Sequence, residues 1–512
     1  MSTAARIVAS LGSVTLFAAC GFALTAFVPS LCKKPLARRL AWAYLLGLAY
    51  VGVALYALSH WAGADLRRGT VLAVCAVPIV LAAWRGRPAR GESDRPGGRA
   101  SRIQRAACVA AAAADALVFL AVLSHAVSGV ETGFDPRMTW NPAAAYVRAA
   151  RTVDAPALLD ASVYVQNPRY PLLLPVLRVA GEEVFDTDDD ERFSRPLYAL
   201  LLPVLLLLVF DVAQPFAGTL AAALTAFVVA FLPGIVFDVG GGAITSYSDL
   251  PMGLLWGGGL VLIFRAPWRF PEALAGGLLL GGAALAKTEG LLLGAVVVAI
   301  AALRAARRLV ARRRLGLPWR PGIPRAAGGT LAVFLFAAVL NVSWRVGVPN
   351  RFSETWDDVT LRGLISGTAA RLPVALPLIG REMARPEIWS GFWWLVPAIF
   401  VLGARAFLHP LARLIGYAVA GALCVYLAAY GASAWAPADL VPPTWNRFLY
   451  QLSLPLFILF AMALGRALQG RGASTTGAEA FGPGPDDRGA PLPVAEVHLE
   501  EGSPSQVNRL TG

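Results

Sequence analysis

Four short polar segments interrupt a chain that otherwise consists mostly of long apolar runs. The first, residues 133–140, holds the carboxylate of Asp135 and the indole of Trp140. The other three are Tyr247-Ser248-Asp249, Lys287-Thr288-Glu289-Gly290 and Trp445-Asn446-Arg447. A carboxylate can accept the proton of a reacting hydroxyl, and lysine and arginine can hold an anion such as phosphate. We therefore interpret the four segments as parts of one site.

Asp135 is the leading candidate for chemistry, because further aromatic and polar residues follow it along the chain. Trp140 and Tyr170 are among them, and aromatic rings beside a carboxylate are typical of a site that binds a sugar. Aromatic residues also form belts at membrane surfaces. Taken alone, Asp135 could simply begin a turn before Pro136.

The other charged candidates also have structural alternatives. Asp249, with Pro251 in the first turn, fits the N-terminal cap of a helix. Lys287 and Glu289 are suspected of function because apolar runs flank them on both sides, although they could pair to cap a turn. Arg447 precedes the last apolar run and suggests an anionic partner such as phosphate, or contact with lipid phosphates.

The composition identifies a polytopic membrane protein. Of the 512 residues, 57% are hydrophobic and 15% are charged, whereas soluble domains carry about 25% charged residues. Much of the net charge of +13 is arginine in short loops, which indicates membrane topology, and no basic soluble domain is present to bind nucleic acid. The five cysteines show no metal-ligand spacing, and we expect small buried hydrophobes rather than disulfides.

Apolar runs predict about 11 to 13 transmembrane helices, the range arising because one short pair could be a broken hairpin. The runs lie near 6–28, 40–59, 69–84, 106–128, 196–214, 217–237, 251–264, 272–286, 289–304, 327–347, 391–408, 411–431 and 449–467. Lysine and arginine concentrate in loops 29–39, 85–105, 265–271 and 304–326. With 13 spans and an outside N-terminus, these loops and the C-terminus are cytoplasmic and all four polar segments lie outside. We expect a multi-pass protein of a bacterial inner membrane.

The expected organisation has three regions. They are a three-span N-terminal segment with a basic cytoplasmic loop (1–105), a catalytic membrane domain (106–469) and a disordered cytoplasmic tail (470–512). The first large outer loop, 129–195, is expected to hold two helices near the membrane surface, at about 142–160 and 171–185.

The polar segments, in this order and on one side, resemble those of the GT-C superfamily of integral-membrane glycosyltransferases, such as protein O-mannosyltransferases and aminoarabinose transferases of lipid A. The matching stretches are Gly133-Phe134-Asp135 with Trp140, residues 167–175, residues 248–251, residues 286–291 and Asn446-Arg447. Two departures are that Pro136 stands where many relatives carry a second acid, and that no large soluble domain follows the last span.

The resemblance implies an all-α fold with juxtamembrane helices in the first outer loop. It also implies an inverting transfer from a polyprenyl-phosphate-linked sugar donor to a hydroxyl of a cell-envelope glycan, lipid or protein. The family's catalytic carboxylate maps onto Asp135, and its phosphate-binding cations map onto Lys287 and Arg447. The remaining site candidates are Asp249, Glu289, Trp140, Tyr170 and Tyr247.

Two other classes of function fit the same composition. A transporter or flippase for a lipid-linked sugar would need ionisable groups near the bilayer midplane. Asp115, Asp211 and Asp238 are the nearest examples, and only Asp115 lies well inside its run. A purely structural membrane subunit leaves Lys287 and Arg447 unexplained. The sequence does not decide whether a divalent metal ion takes part.

Overall fold

The computed structural model describes residues 3–86, 102–163, 165–187, 191–238, 240–265, 269–318, 321–349, 361–433 and 435–469. All regular secondary structure within these ranges is helical, which confirms the predicted all-α polytopic membrane fold. The expected tail 470–512 and the basic residues 87–101 lie outside the described ranges.

The first half of the chain contains α1 (Thr3–Thr25), α2 (Pro29–Cys32), α3 (Leu36–Ala62), α4 (Arg68–Arg85), α5 (Arg102–Ser128), a π-helical turn (Pro136–Trp140), α6 (Asn141–Ala150), α7 (Pro156–Leu159), α8 (Leu173–Phe185), α9 (Glu191–Ala199), α10 (Leu201–Ala217), α11 (Thr219–Ala230) and α12 (Pro233–Val236). The second half contains α13 (Asp249–Arg265), α14 (Phe270–Ala286), α15 (Thr288–Arg314), α16 (Gly322–Gly347), α17 (Leu361–Ala384), α18 (Pro386–Trp389), α19 (Phe392–Leu402), a 3-10 turn (Ala404–Leu408), α20 (Pro410–Ala432), α21 (Pro437–Gln451) and α22 (Ser453–Gln469).

Each predicted span contains a helix, but the helices differ in length. Eight in the described ranges are long and apolar enough to cross a membrane, or nine if α21 and α22, bent by 65°, count as one broken span. Predicted spans near 217–237, 251–264, 272–286 and 391–408 contain the shorter helices α11, α13, α14 and α19. These short helices account for the difference from the expected 11 to 13.

One continuous buried core joins the N-terminal segment to the rest of the described chain. Trp42 and Tyr56 of α3 are fully buried within it. Helix α1 crosses α3 closely at Gly21, where an added Cβ would lie only 1.8 Å from the carbonyl oxygen of Ala43. Small residues at helix crossings let membrane helices approach in this way. Helix α3 also packs on α10 and α14, so the N-terminal helices within 3–86 share one core with the rest of the described chain.

The loop 129–195 contains the expected helices with altered ends. Helix α6 stops at Ala150 because Arg151 adopts a left-handed backbone with φ of 56°. The chain is then tied to the end of α3, where the ring of His60 bonds Asp154 at 2.8 Å. Helix α8 is buried along nearly all of its length. The 24-residue helix α17 lies between the predicted spans 327–347 and 391–408, where no span is predicted, and its internal Pro373 and Pro377 interrupt the helical sequence signal.

Candidate functional site

The structure brings together five predicted charged residues in one continuous chain of ion pairs. Asp135 Oδ2 lies 2.6 Å from Arg447 Nη2, and Arg447 Nε lies 2.9 Å from Asp249 Oδ2. The other oxygen of Asp249 accepts from Lys287 Nζ at 2.7 Å, and Lys287 also contacts Glu289 at 3.1 Å. All four polar segments of the sequence therefore contribute to one cluster.

Burial increases toward the middle of this ion-pair cluster. The side chains of Asp249 and Lys287 are 0% and 3% exposed, whereas those at the two ends, Asp135 and Glu289, are 12% and 24% exposed. Burying a charge is costly unless it is paired, which explains why each inner side chain contacts two or more partners. The outer carboxylates and Arg447 are the groups that a ligand can reach.

Asp249 is the centre of the cluster rather than a helix cap. Its two carboxylate oxygens accept hydrogen bonds from the side chains of Lys287, Arg447 and Gln451. Burial alone would raise the pKa of Asp249, but the positive charges of Arg447 and Lys287 outweigh it and lower the pKa to about 2. Gln451 Nε2 lies 2.5 Å from Asp249, and its carbonyl oxygen accepts from the hydroxyl of Tyr426 at 2.6 Å.

Asp135 is held by the turn around it and by Tyr247. It directly precedes the π-helical turn and makes no capping hydrogen bond with its side chain, so the carboxylate remains available to Arg447. The hydroxyl of Tyr247 accepts from the backbone N–H groups of Phe134 and Asp135, at 3.1 and 3.3 Å. The guanidinium of Arg447 lies over the Tyr247 ring, 4.9 Å from its centre, in cation–π contact.

Glu131 is a site residue that the sequence analysis missed. It is 3% exposed, and its two oxygens accept from backbone N–H groups of two separate segments, Gly133 at 2.9 Å and Ser246 at 3.0 Å. The carboxylate thereby ties the segment before Asp135 to the segment before Asp249. Nothing in the spacing of Glu131 distinguishes it from a loop acid in sequence.

Replacing Tyr247 by phenylalanine is expected to lower the free energy of unfolding by about 1–3 kcal/mol, because two partly buried backbone N–H groups lose their acceptor. The ring, and with it the contact to Arg447, remains. Thermal unfolding of the purified chain in detergent measures the effect. Tyr417→Phe removes the hydroxyl of an exposed tyrosine and should leave the midpoint unchanged. Equal midpoints for both variants would show that the Tyr247 hydroxyl holds nothing in place.

The predicted aromatic residues also lie together. Trp140 and Tyr170 stack with ring centres 5.5 Å apart and planes 17° apart. The carbonyl of Tyr170 accepts from Trp344 Nε1 at 3.1 Å, which fixes this segment against α16. Burial raises the pKa of Tyr170 well above its usual value, and the negative charges of Glu289 and Asp135 raise it further. Its hydroxyl therefore stays protonated beside the ion-pair cluster.

Asn446, which the resemblance includes, faces a different set of partners from its neighbour Arg447. Its amide accepts from Trp389 Nε1 and donates to Glu382, both at 2.9 Å. Gln451, in contrast, lies four residues after Arg447 on α21, a spacing that places two side chains on one helix face. That spacing is the signal by which the sequence could have revealed Gln451.

Five buried polar atoms of the four polar segments have no hydrogen-bond partner among the described residues. They are Thr139 Oγ1, Trp140 Nε1, Ser248 Oγ, Glu289 Oε2 and Trp445 Nε1. Buried polar groups are nearly always paired, so orphaned ones indicate a place where a bound molecule supplies the partner. Among all the residues that the structure describes, no group of three or more His, Cys, Asp or Glu side chains is placed to hold a metal ion.

Fold and site together define a class: an all-α, multi-pass membrane protein with a partly buried ion-pair cluster where four distant segments meet. No protein-family model, curated protein or solved structure matches this chain.

Proposed function

We propose that this chain is a membrane glycosyltransferase that moves a sugar from a polyprenyl-phosphate-linked donor to an acceptor hydroxyl. The observation that carries the proposal is the contact between Asp135 and Arg447, which are 312 residues apart in sequence and 2.6 Å apart in space. A base for the acceptor and a cation for the leaving phosphate are the two groups that such a transfer needs within one site.

The contact between Asp135 and Arg447 must open during the reaction. In an inverting transfer the acceptor hydroxyl and the leaving phosphate lie on opposite faces of the sugar carbon, so the base and the phosphate-binding cation need a gap between them. We propose that the donor phosphate replaces Asp135 as the ion-pair partner of Arg447. Donor binding would thereby free the Asp135 carboxylate to accept a hydrogen bond from the acceptor hydroxyl.

Lys287 has a supporting role in this scheme. It is 3% exposed and lies between Asp249 and Glu289, so a lipid phosphate reaches Arg447 first. Lys287 and Gln451 donate hydrogen bonds to Asp249 and keep its carboxylate in place. Asp249 in turn accepts from Nε of Arg447, while Nη2 of Arg447 changes its partner from Asp135 to the donor phosphate. Tyr170, which is only partly buried, offers the sugar an aromatic face to pack against, and the buried Trp140 supports it by stacking.

A direct test follows donor sugar in membrane vesicles that contain the chain, whose own glycans, lipids and proteins serve as acceptors. Polyprenyl monophosphates carrying radiolabelled glucose, mannose, galactose or arabinose are supplied in turn. We expect one of them to label the vesicles, and sugar-free polyprenyl monophosphate to compete. Absence of both labelling and saturable binding of polyprenyl monophosphate would contradict the proposal.

We further propose that the site faces the extracytoplasmic side of a bacterial inner membrane, with the N-terminus outside and the C-terminus inside. The arginine-rich end of α15 supports this orientation, because basic residues concentrate on the cytoplasmic side. In a cysteine-free background, Arg137→Cys should react with an impermeant maleimide added to whole cells, and Arg312→Cys should react only after lysis. The reverse pattern would place the cluster in the cytoplasm.

A transporter of a lipid-linked sugar is the second candidate, and one observation favours it. Helices α21 and α22 form a pair bent by 65°, and Arg447 lies on α21 one turn before the break. Broken helices that present charged groups are typical of transport sites. Sealed proteoliposomes without any acceptor distinguish the two functions, since a transporter moves labelled lipid-linked sugar across the bilayer and a transferase does not.

A further inference from the structure

A second charged cluster surrounds Asp211, near the C-terminal end of α10. Three cations approach its carboxylate: Lys34 Nζ at 2.6 Å, Arg265 Nη1 at 3.5 Å and Arg38 Nη1 at 3.7 Å. The indole N–H of Trp42 donates to the same carboxylate at 3.0 Å. The cluster joins the start of α3, the end of α10 and the end of α13. It involves none of the residues of the candidate functional site.

The charges of this basic cluster do not balance. Three positive side chains meet one negative one, Asp211, which is 1% exposed, so the net formal charge is two positive. Glu272 accepts a hydrogen bond from the backbone N–H of Ser30 at 3.1 Å and forms no ion pair within the described residues, so it does not neutralise these cations. Burial lowers the pKa of Lys34 to about 8, and repulsion by Arg265 contributes in the same direction. The three positive charges of the basic cluster therefore repel one another.

The cations are accessible from one side, and apolar surface adjoins them. The side chains of Lys34, Arg265 and Arg38 are 11%, 17% and 23% exposed. Leu36 and Leu40, one helical turn apart at the start of α3, are 65% and 42% exposed. A ligand with a phosphate beside hydrocarbon chains would meet both features.

We propose that the basic cluster of Lys34, Arg38 and Arg265 binds the phosphate of an anionic phospholipid, whose acyl chains lie along Leu36 and Leu40. Arginine forks pair well with phosphate oxygens, and basic pockets between membrane helices commonly hold anionic headgroups. The phosphate supplies the negative charge that Asp211 alone does not. The lipid then fastens α3, α10 and α13 together at this end of the bundle.

The test compares thermal unfolding of the full chain in neutral detergent with phosphatidylglycerol, phosphatidylcholine or inorganic phosphate added. We expect a saturable rise of the midpoint with phosphatidylglycerol only. The double variant Arg38→Gln/Arg265→Gln should weaken the apparent affinity for phosphatidylglycerol by about tenfold or more. Without anionic lipid it should be at least as stable as the wild type, because mutual repulsion is relieved while Asp211 keeps Lys34.

The matched control is Lys33→Gln/Arg269→Gln, which removes two exposed positive charges from neighbouring positions outside the cluster. It should retain the response to phosphatidylglycerol within about twofold. An equal loss in both double variants would mean general attraction to the lipid surface and would overturn the site. So would a cluster variant that is unstable in neutral detergent yet still responds fully to the lipid. A midpoint rise with inorganic phosphate alone would assign the cluster to a soluble anion instead.

Discussion

Replacing Asp135 by asparagine is expected to reduce sugar transfer by about 10²- to 10⁴-fold, the usual contribution of a general base. Asparagine has nearly the same shape but cannot take the proton of the acceptor hydroxyl. The initial rate of label transfer from polyprenyl-phosphate sugar measures the effect. Full activity in this variant would remove Asp135 from the catalytic role.

Measuring donor binding distinguishes the loss of a catalytic base from general damage to the site in the Asp135→Asn variant. Arg447 keeps Asp249 when Asp135 is replaced, so the variant should fold. The donor phosphate then no longer competes with Asp135 for Arg447, and polyprenyl monophosphate should bind as tightly as to the wild type or more tightly. Asp65→Asn makes the same chemical change at a half-exposed residue that pairs with Arg67, and it should alter neither rate nor binding. Weaker donor binding in the Asp135 variant would contradict the proposed exchange of Arg447.

Replacing Asp249 by alanine is expected to destabilise the fold by about 3–5 kcal/mol, the typical consequence of removing one partner from a buried ion pair. Arg447 and Lys287 would lose the carboxylate between them, and Gln451 would lose its acceptor. Thermal or denaturant unfolding in detergent measures the change. Asp65→Ala, at an exposed ion pair, should change stability by less than about 1 kcal/mol.

A double variant separates charge balance from simple loss of contacts at Asp249. Combining Asp249→Asn with Lys287→Met removes a buried anion together with one buried cation, so the pair should be less destabilised than the sum of the single changes. Simple additivity would mean that Asp249 and Lys287 do not act as a unit. The comparison requires only folded-state stability, so it holds whether the site transfers or transports its ligand.

Most of the helix bundle could be predicted because a membrane span is recognisable from its own run of apolar residues. A run such as 106–128 is apolar over its whole length, and the structure places α5 there. The positions of the arginines placed the four polar segments on one side of the membrane, which made it possible for them to form one site. Asp135, Asp249, Lys287 and Arg447 are joined by direct contacts in the structure.

The pairings themselves could not be predicted, because they depend on tertiary packing. Asp249 looked like a cap from its neighbours alone, yet its partners lie 38 residues away at Lys287 and 198 residues away at Arg447. Glu131 acts through backbone N–H groups, which every residue except proline possesses, so its sequence context carries no signal. The sequence offered Asp211 only as a candidate transporter residue, and the packing of α3 and α13 against α10 supplies its three cations.

The π-helical turn Pro136–Trp140 has a consequence for the length of this segment. A turn of this kind holds about one residue more than a regular α-helical turn. Because the wider turn absorbs the extra residue, the residues on its two sides keep nearly the relative orientation that a regular helix would give them. Gain or loss of one residue between Asp135 and Trp140 would therefore change the turn from one helical form to the other, and the packing of the flanking helices would be preserved.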